Sequence, residues 1–358
     1  MNFNRSILDW YSENKRNLPW RETADPYKIW VSEIILQQTR VSQGLAYYNR
    51  FINAYPNITS LASAKEEAVL KVWQGLGYYS RARNMHTTAN VICSKHNGVF
   101  PKTYQDVLKL KGIGEYTAAA ICSFAFNQKY AVLDGNVFRV LSRFFDVRTP
   151  IDTTLGKKEF QKLANKNLSQ KNPGTYNQAI MDFGAIQCTP TNPNCGVCPI
   201  NYLCSAYEND SVKELPIKQK KQTKRTRTFN YLVFLQNENT YIEKRNGNDI
   251  WKNLFEFPLI EGTQILSKKS LITLLSQNFN LKETADYKIV SCVKLAHHLT
   301  HQKIVSTFWK IAVCNTKVNL NKNQIIQIKS QDINKYPLHR LTEKYLESKC
   351  VWNDFSTL

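Results

Sequence analysis

The sequence predicts two domains, an all-α domain followed by a smaller α+β domain, and three observations lead there. At 358 residues the chain exceeds what one hydrophobic core ordinarily holds. Up to about residue 210 the apolar residues recur with a helical period, whereas beyond about residue 228 they alternate or run together as in strands. Between the two lies "KELPIKQKKQTKRTRT", basic, poor in apolar residues and carrying Pro216, which reads as an exposed linker. The expected boundaries are therefore 1–212, a linker at 213–228, and 229–358.

The first domain opens on a helix with one apolar face, built on Ile7, Leu8, Trp10 and Tyr11. "WVSEIILQQTRVSQGLAYYNRFI" places Val31, Ile34, Ile35, Val41, Leu45, Tyr48 and Ile52 on one helical stripe, with Glu33, Gln37 and Arg40 on a polar one beside it. "VFRVLSRFF" repeats the pattern through Val137, Val140, Leu141 and Phe144. In the second domain "FNYLVFLQ", "NTYIEKR" and "STFWKIAVC" read as strands and "KKSLITLLSQNF" as a helix.

Composition narrows the function. The net charge of +20 favours a polyanionic partner, and nucleic acid is the commonest. No apolar run approaches the roughly 18 residues of a membrane span, and the first twenty residues lack a signal-peptide core. A cytoplasmic, nucleoid-associated bacterial protein is the expectation, acting as a monomer. Nine cysteines, an odd number without a secretory signal, argue against a disulfide framework.

Four of those cysteines, Cys188, Cys195, Cys198 and Cys204, follow C-x6-C-x2-C-x5-C in a loop rich in proline and asparagine. Thiolates so close together are metal ligands in a reducing compartment, and both zinc and a [4Fe–4S] cluster accept four of them. "LKGIGEYT" frames Ile113 with Gly112 and Gly114 before a helix start, whose unpaired N–H groups suit a phosphate. "VLDGN" sets Asp134 at another helix start, an N-cap whose N–H donors favour the carboxylate. Glu33, flanked by Ile and Leu, has the opposite prospect, since burial raises a carboxyl's pKa toward neutrality.

These segments together resemble the MutY family within the endonuclease III superfamily of DNA glycosylases. The cysteine spacing resembles that superfamily's iron–sulfur loop, which implies a structural [4Fe–4S] cluster at 188–204. "L-x-G-I-G" resembles its helix-hairpin-helix phosphate clamp, and "PYKIWVSEIILQQTRV" its catalytic segment, where Glu33 matches the general acid. Bifunctional relatives carry a lysine where this chain has Tyr116, so the resemblance implies a monofunctional enzyme with water as the sugar's acceptor. It implies that Asp134 stabilises the sugar cation and Tyr116 orients the acid, around an adenine flipped out of duplex DNA. In "WQGLGYYSRARN", Tyr78 matches the family's intercalating tyrosine; Gln38 matches its wedge, and Arg81 and Arg83 stand for phosphate contacts.

The second domain, through "RNGNDIWKNLFEFPLIE", resembles the family's Nudix-like domain, without the glutamate box that binds metal in the hydrolases. The family reads oxidised guanine there with a Phe-Ser-His loop; Leu299, Thr300 and His301 occupy those places, so threonine keeps the hydroxyl and leucine an apolar wedge while the phenylalanine stack is lost. The activity implied is base excision repair: hydrolysis of the N-glycosidic bond of adenine mispaired with 8-oxoguanine or guanine. An endonuclease III-type enzyme for oxidised pyrimidines and a non-catalytic lesion-binding relative are the competing expectations.

Overall fold

Residues 3–219, 224–314 and 325–348 are described by the structure, a computed structural model. The chain divides into two compact units, one of Met1–Ser63 with Asn84–Lys221, the other of Ala64–Arg83 with Gln222–Leu358.

The first unit is helical. Its helices are α1 (Phe3–Asn14), α2 (Pro26–Leu36), α3 (Val41–Ala54) and α4 (Ile58–Ala62), then, beyond α5 (Glu66–Trp73), most of α6 (Ser80–His96). There follow α7 (Tyr104–Leu108), α8 (Glu115–Phe126), α9 (Gly135–Phe144), α10 (Thr154–Lys166), α11 (Pro173–Ile186) and α12 (Ser205–Glu208). One core draws Ile7 and Tyr11 from α1, Val137, Val140 and Leu141 from α9, and Phe160, Ile180 and Phe183 from α10 and α11. Helix α8 is built of small residues, Ala118 to Ala120, and α11 comes close beside it: a Cβ on Gly174 would stand 2.4 Å from the Ser123 carbonyl oxygen. That approach excludes any larger residue there.

Helix α2 is buried nearly all round, from Tyr27 to Ile35. The sequence treats 30–52 as one periodic stretch, but the helix stops at Leu36 because Gln38 takes a left-handed backbone (φ 58°). Gln37 becomes the C-cap of α2 and Arg40 the N-cap of α3, so the polar stripe expected of Glu33, Gln37 and Arg40 does not exist as one face.

The second unit is a mixed sheet of β1 (Arg225–Gln236), β2 (Asn239–Lys244), β3 (Phe255–Glu256), β4 (Leu259–Gly262), β5 (Tyr287–His298), β6 (Gln302–Val313) and β7 (Ile325–Lys329). The order is β3-β2-β1-β6-β5, with β4 paired to β1 and β7 to β2. Strands β1 and β6 run parallel along Arg225↔Gln302 to Leu235↔Ala312 and are covered on both faces, which is why they read as unbroken apolar runs. Helix α13 (Lys268–Phe279) packs Leu271 and Leu275 against Leu232, Phe234 and Ile311. Helix α14 (Arg340–Glu347) brings Tyr345 to the other face, stacked on Phe308 at 4.2 Å, which stacks on Tyr231 at 4.5 Å.

Two features differ from the expected contiguous division. Segment 64–83 belongs with the sheet: Glu66 accepts from Asn253, Glu67 pairs with Lys244, and Gln74 donates to Glu343. These pairings are long-range and leave no local trace in the sequence. Strand β1 also starts at Arg225, inside the stretch expected as linker, while Gln219 is held by Asp152. Residues 220–223 of that stretch, Lys220 and Lys221 among them, lie outside the described residues.

Candidate active site and nucleic-acid interface

A cavity of about 510 Å³ opens in the helical unit, and Glu33, Tyr116 and Asp134 all line it. Three elements supply them: the middle of α2, the first turn of α8 and the N-cap of α9. Glu33 is 6 % exposed, and the Tyr116 hydroxyl donates to its Oε2 at 2.8 Å. Burial pushes the Glu33 carboxyl up to about 7; the Tyr116 bond and the Arg21 charge pull it down, and Asp134 pushes it up. Tyr116 is itself raised well above its ordinary range, first by burial and then by the two carboxyls. It is a neutral hydroxyl donor.

Asp134 caps α9: its Oδ1 accepts from the Val137 N–H at 2.8 Å and its Oδ2 from the Asn136 side chain at 2.9 Å. The sequence-based expectation is that such donors keep this carboxyl low. Its environment does the reverse. Burial raises it, more than the bonds from Val137 and Asn136 and the Arg139 charge lower it. Asn136 in turn accepts from Arg139 at 2.9 Å, and Arg139 donates to the Cys188 carbonyl oxygen at 2.7 Å. A continuous chain of polar contacts thus joins the cap to the cysteine loop.

Several residues of this cavity escape motif reading: Arg16, Trp20, Arg21, Asn136, Gln178 and, behind the wall, Asp182. The signal available for Asp182 was a single acid within the apolar run "AIMDFGAI", which on a buried helix demands a cationic partner.

Cys188, Cys195, Cys198 and Cys204 line one small cavity between α9, α11 and the loop before α12. Arg143 fixes the start of that loop, donating to Cys188 Sγ at 3.4 Å and to the Thr189 carbonyl oxygen at 2.7 Å. Burial pushes the Cys198 thiol up to about 12 and raises Cys195 and Cys204, each made worse by neighbouring thiolate charge. Four thiols so close together ionise jointly only against bound cations, so the donor set fits a metal centre. Among the described residues no three ligands close on a point able to hold a single ion.

The glycine hairpin lies between α7 and α8. Gly112 has φ +81°, and a Cβ there would meet Asn84 Cβ at 2.8 Å, while Ile113 is buried. Gly114 is the N-cap of α8, with no side-chain cap and open space beside it, so the first-turn amides face outward uncapped by any side chain. Gln38 lines the cavity mouth with its left-handed backbone.

In the sheet unit, Tyr78, Leu299, Thr300 and His301 line a second cavity of about 400 Å³, together with Arg83 and Trp251. Tyr78, 40 % exposed, is hydrogen-bonded through its hydroxyl to Thr300 Oγ1. The two arginines expected as phosphate contacts go elsewhere. Arg81 is 8 % exposed, bonded to the Gly77 carbonyl oxygen and seated over the Trp73 ring. Arg83 donates to the Lys252 carbonyl oxygen at 2.8 Å. An R-x-R spacing on a helix start shows two cations, but not that packing against Trp73 turns one inward.

The chain is similar to known proteins over both units. Residues 31–166 match the HhH-GPD superfamily base excision DNA repair protein, 188–204 the iron-sulfur binding domain of endonuclease III, and 230–348 the NUDIX domain. An adenine DNA glycosylase of Buchnera aphidicola subsp. Baizongia pistaciae is 35% identical over 331 residues, 90% of each chain. The adenine DNA glycosylase of Homo sapiens is 40% identical over 222 residues, covering 60% of this chain and 41% of its own. Among solved structures, a thermostable thymine-DNA glycosylase aligns with a TM-score of 0.54 at 31% identity, covering 58% of this chain and 95% of its own.

Proposed function

The chain belongs to the adenine DNA glycosylases of the HhH-GPD base excision repair superfamily, and from that premise we propose that it excises adenine opposite 8-oxoguanine or guanine in duplex DNA, with Glu33 as general acid. The observation that carries this reading is the convergence of Glu33, Tyr116 and Asp134 on one cavity. A carboxyl raised to about 7 still carries its proton in half the molecules at neutral pH.

In this reading the adenine swings out of the stack into the cavity. Glu33 donates its proton to a purine ring nitrogen as the N-glycosidic bond breaks, and the bonding pair leaves with the base. The sugar becomes cationic, and Asp134, held by Val137 and Asn136, stabilises that charge as a carboxylate. Water adds to the anomeric carbon and loses a proton, leaving an abasic site. Tyr116 holds the acid in place through its 2.8 Å bond. Among the described residues no lysine lines the cavity, which supports water rather than an amine as the acceptor. The four cysteines hold a [4Fe–4S] cluster that fixes the loop structurally, and the chemistry runs on the helical side chains.

Gly112 and Gly114 would clamp a phosphate, Gln38 and Tyr78 would fill the vacated stack, and Leu299, Thr300 and His301 would read the opposite base. Arg81 and Arg83, turned to the Gly77 and Lys252 carbonyl oxygens, are not retained as phosphate contacts. The protein would act on DNA as a monomer. No described helix is long and apolar enough to cross a membrane.

Single-turnover assays on duplexes with adenine opposite 8-oxoguanine, guanine, cytosine or thymine test the proposal. Release restricted to the first two supports it. Equal rates on all four, or a protein–DNA adduct trapped by borohydride, would overturn it.

A further inference from the structure

Behind the wall of the Glu33 cavity lies an ion cluster that the mechanism does not use. Asp182 of α11 is completely buried, and two arginines from the segment after α1 converge on it. Arg16 donates through its Nε to Oδ1 at 2.7 Å and through its backbone N–H to Oδ2 at 3.2 Å. Arg21 binds both oxygens, its Nη2 meeting Oδ1 at 2.7 Å. The far side of Arg21 is fixed too: its Nη1 approaches the Tyr11 hydroxyl at 3.4 Å, and that hydroxyl donates to Gln178 at 3.1 Å, one helical turn before Asp182. Arg21 is only 10 % exposed and lines the same cavity as Glu33.

A buried guanidinium in the cavity of a proton-donating carboxyl is a hazard, because a nearby cation favours the ionised acid. Resting on the reading of Glu33 as the proton donor, we propose that Asp182 is a positioning residue for that acid: it clamps Arg21 and Arg16 and neutralises them, so that Glu33 keeps its proton where Arg21 alone would strip it. The other ionisable groups facing Glu33 are Tyr116 from α8 and Asp134 at the head of α9. From α3, Tyr48 packs edge-on against Trp20 at 5.0 Å. Around Asp182 itself stand Arg16, Arg21 and the Tyr11 hydroxyl. Burial alone would raise Asp182, yet the two arginines hold it below the ordinary carboxylate range, so it stays anionic wherever the enzyme works.

The test is the alkaline limb of the single-turnover pH profile, measured on the full-length, cluster-containing protein with Asp182→Asn and Arg21→Met. Asp182→Asn leaves Arg21 unneutralised and should move the limb roughly one pH unit down, a tenfold loss of rate at a fixed pH above it. Arg21→Met removes the cation and should move the limb up. A role confined to structure would lower the amplitude of both and leave the limb in place. Should either variant be too slow to assay, the ¹³C carboxyl shift of Glu33 reports the same displacement without turnover. Limbs that coincide with the parent's, or that shift in the same direction, overturn the proposal. If Asp182→Asn does not fold, Arg21→Met decides alone, an unmoved or lowered limb refuting it. Glu33→Gln separates the two readings: activity retained there defeats the assignment of Glu33, whereas loss of activity with unmoved limbs defeats only the role of Asp182.

Discussion

Replacing Glu33 by glutamine should abolish adenine release and, at the same time, stabilise the fold above neutral pH. Burial raises this carboxyl from 4.5 to about 7, a difference of 2.5 units. At about 1.4 kcal/mol per unit, that is about 3 kcal/mol of destabilisation once the folded carboxyl is fully ionised. The sign follows from proton counts. Between pH 4.5 and 7 the folded protein binds more protons at this site than the unfolded chain, so stability falls as pH rises, and the penalty is complete above 7. Integrated through the two values, it is about 1 kcal/mol at pH 5 and about 3 kcal/mol at pH 8. Glutamine has no such titration and can still accept from the Tyr116 hydroxyl. The variant's advantage should therefore grow by about 2 kcal/mol from pH 5 to pH 8. For domains of about 200 residues that corresponds to roughly 4–8 °C in Tm, read from matched thermal scans of both proteins at both pH values. The comparison within each pH cancels the constant cost of the substitution itself. A variant whose advantage stays flat or shrinks with pH would refute the burial argument, whatever its activity.

Three further outcomes follow from the same contacts. Tyr116→Phe removes a bond that favours the Glu33 carboxylate, so the alkaline limb should rise above pH 7 while the rate falls; a lowered limb would count against the 2.8 Å contact. Cys198→Ser should cost the protein its bound iron, its visible absorbance and thermal stability together; iron content equal to the parent's would remove Cys198 from the ligand set. Thr300→Val deletes the partner of the Tyr78 hydroxyl and, at about 1 kcal/mol for a hydrogen bond, should reduce the rate preference for 8-oxoguanine over guanine roughly fivefold. An unchanged ratio of the two single-turnover rates would exclude that contact from lesion reading.

What was legible in the sequence was local. Asp134 stands directly before its helix, and its capping of Val137 needs only three residues of chain. The four cysteines fall within 17 residues, and the Gly112–Gly114 hairpin within three, so both patterns are visible from spacing alone. What stayed hidden depends on distant packing. Asp182 meets Arg16 and Arg21 across more than 160 residues, and nothing near it shows which cations it will find. The end of α2 at Leu36 was invisible for another reason: "QQTR" contains neither glycine nor proline, and helical period continues across it. The rise at Asp134 was missed because donors can be read from a cap, while the burial around it cannot.

The two residues proposed to enter the DNA stack share a backbone property that bears on why they are there. Gln38 and Tyr78 have φ of 58° and 47°, a region that costs a non-glycine residue about 1 kcal/mol or more. The loop around Tyr78 shows what it uses where no side chain is needed: Gly75 and Gly77 take φ of 91° and 78° at no steric cost. Glycine at 38 or 78 would relieve the strain in the same way. At 78 the side chain adds a hydroxyl bonded to Thr300 and a ring beneath the Arg81 guanidinium, contacts at an exposed site that contribute little to the fold, and Tyr78 is exposed enough to act outside the core. Tyr78→Gly should therefore leave thermal stability equal or higher while weakening binding to mismatched duplex. A clear loss of stability would place Tyr78 in the fold rather than at the DNA.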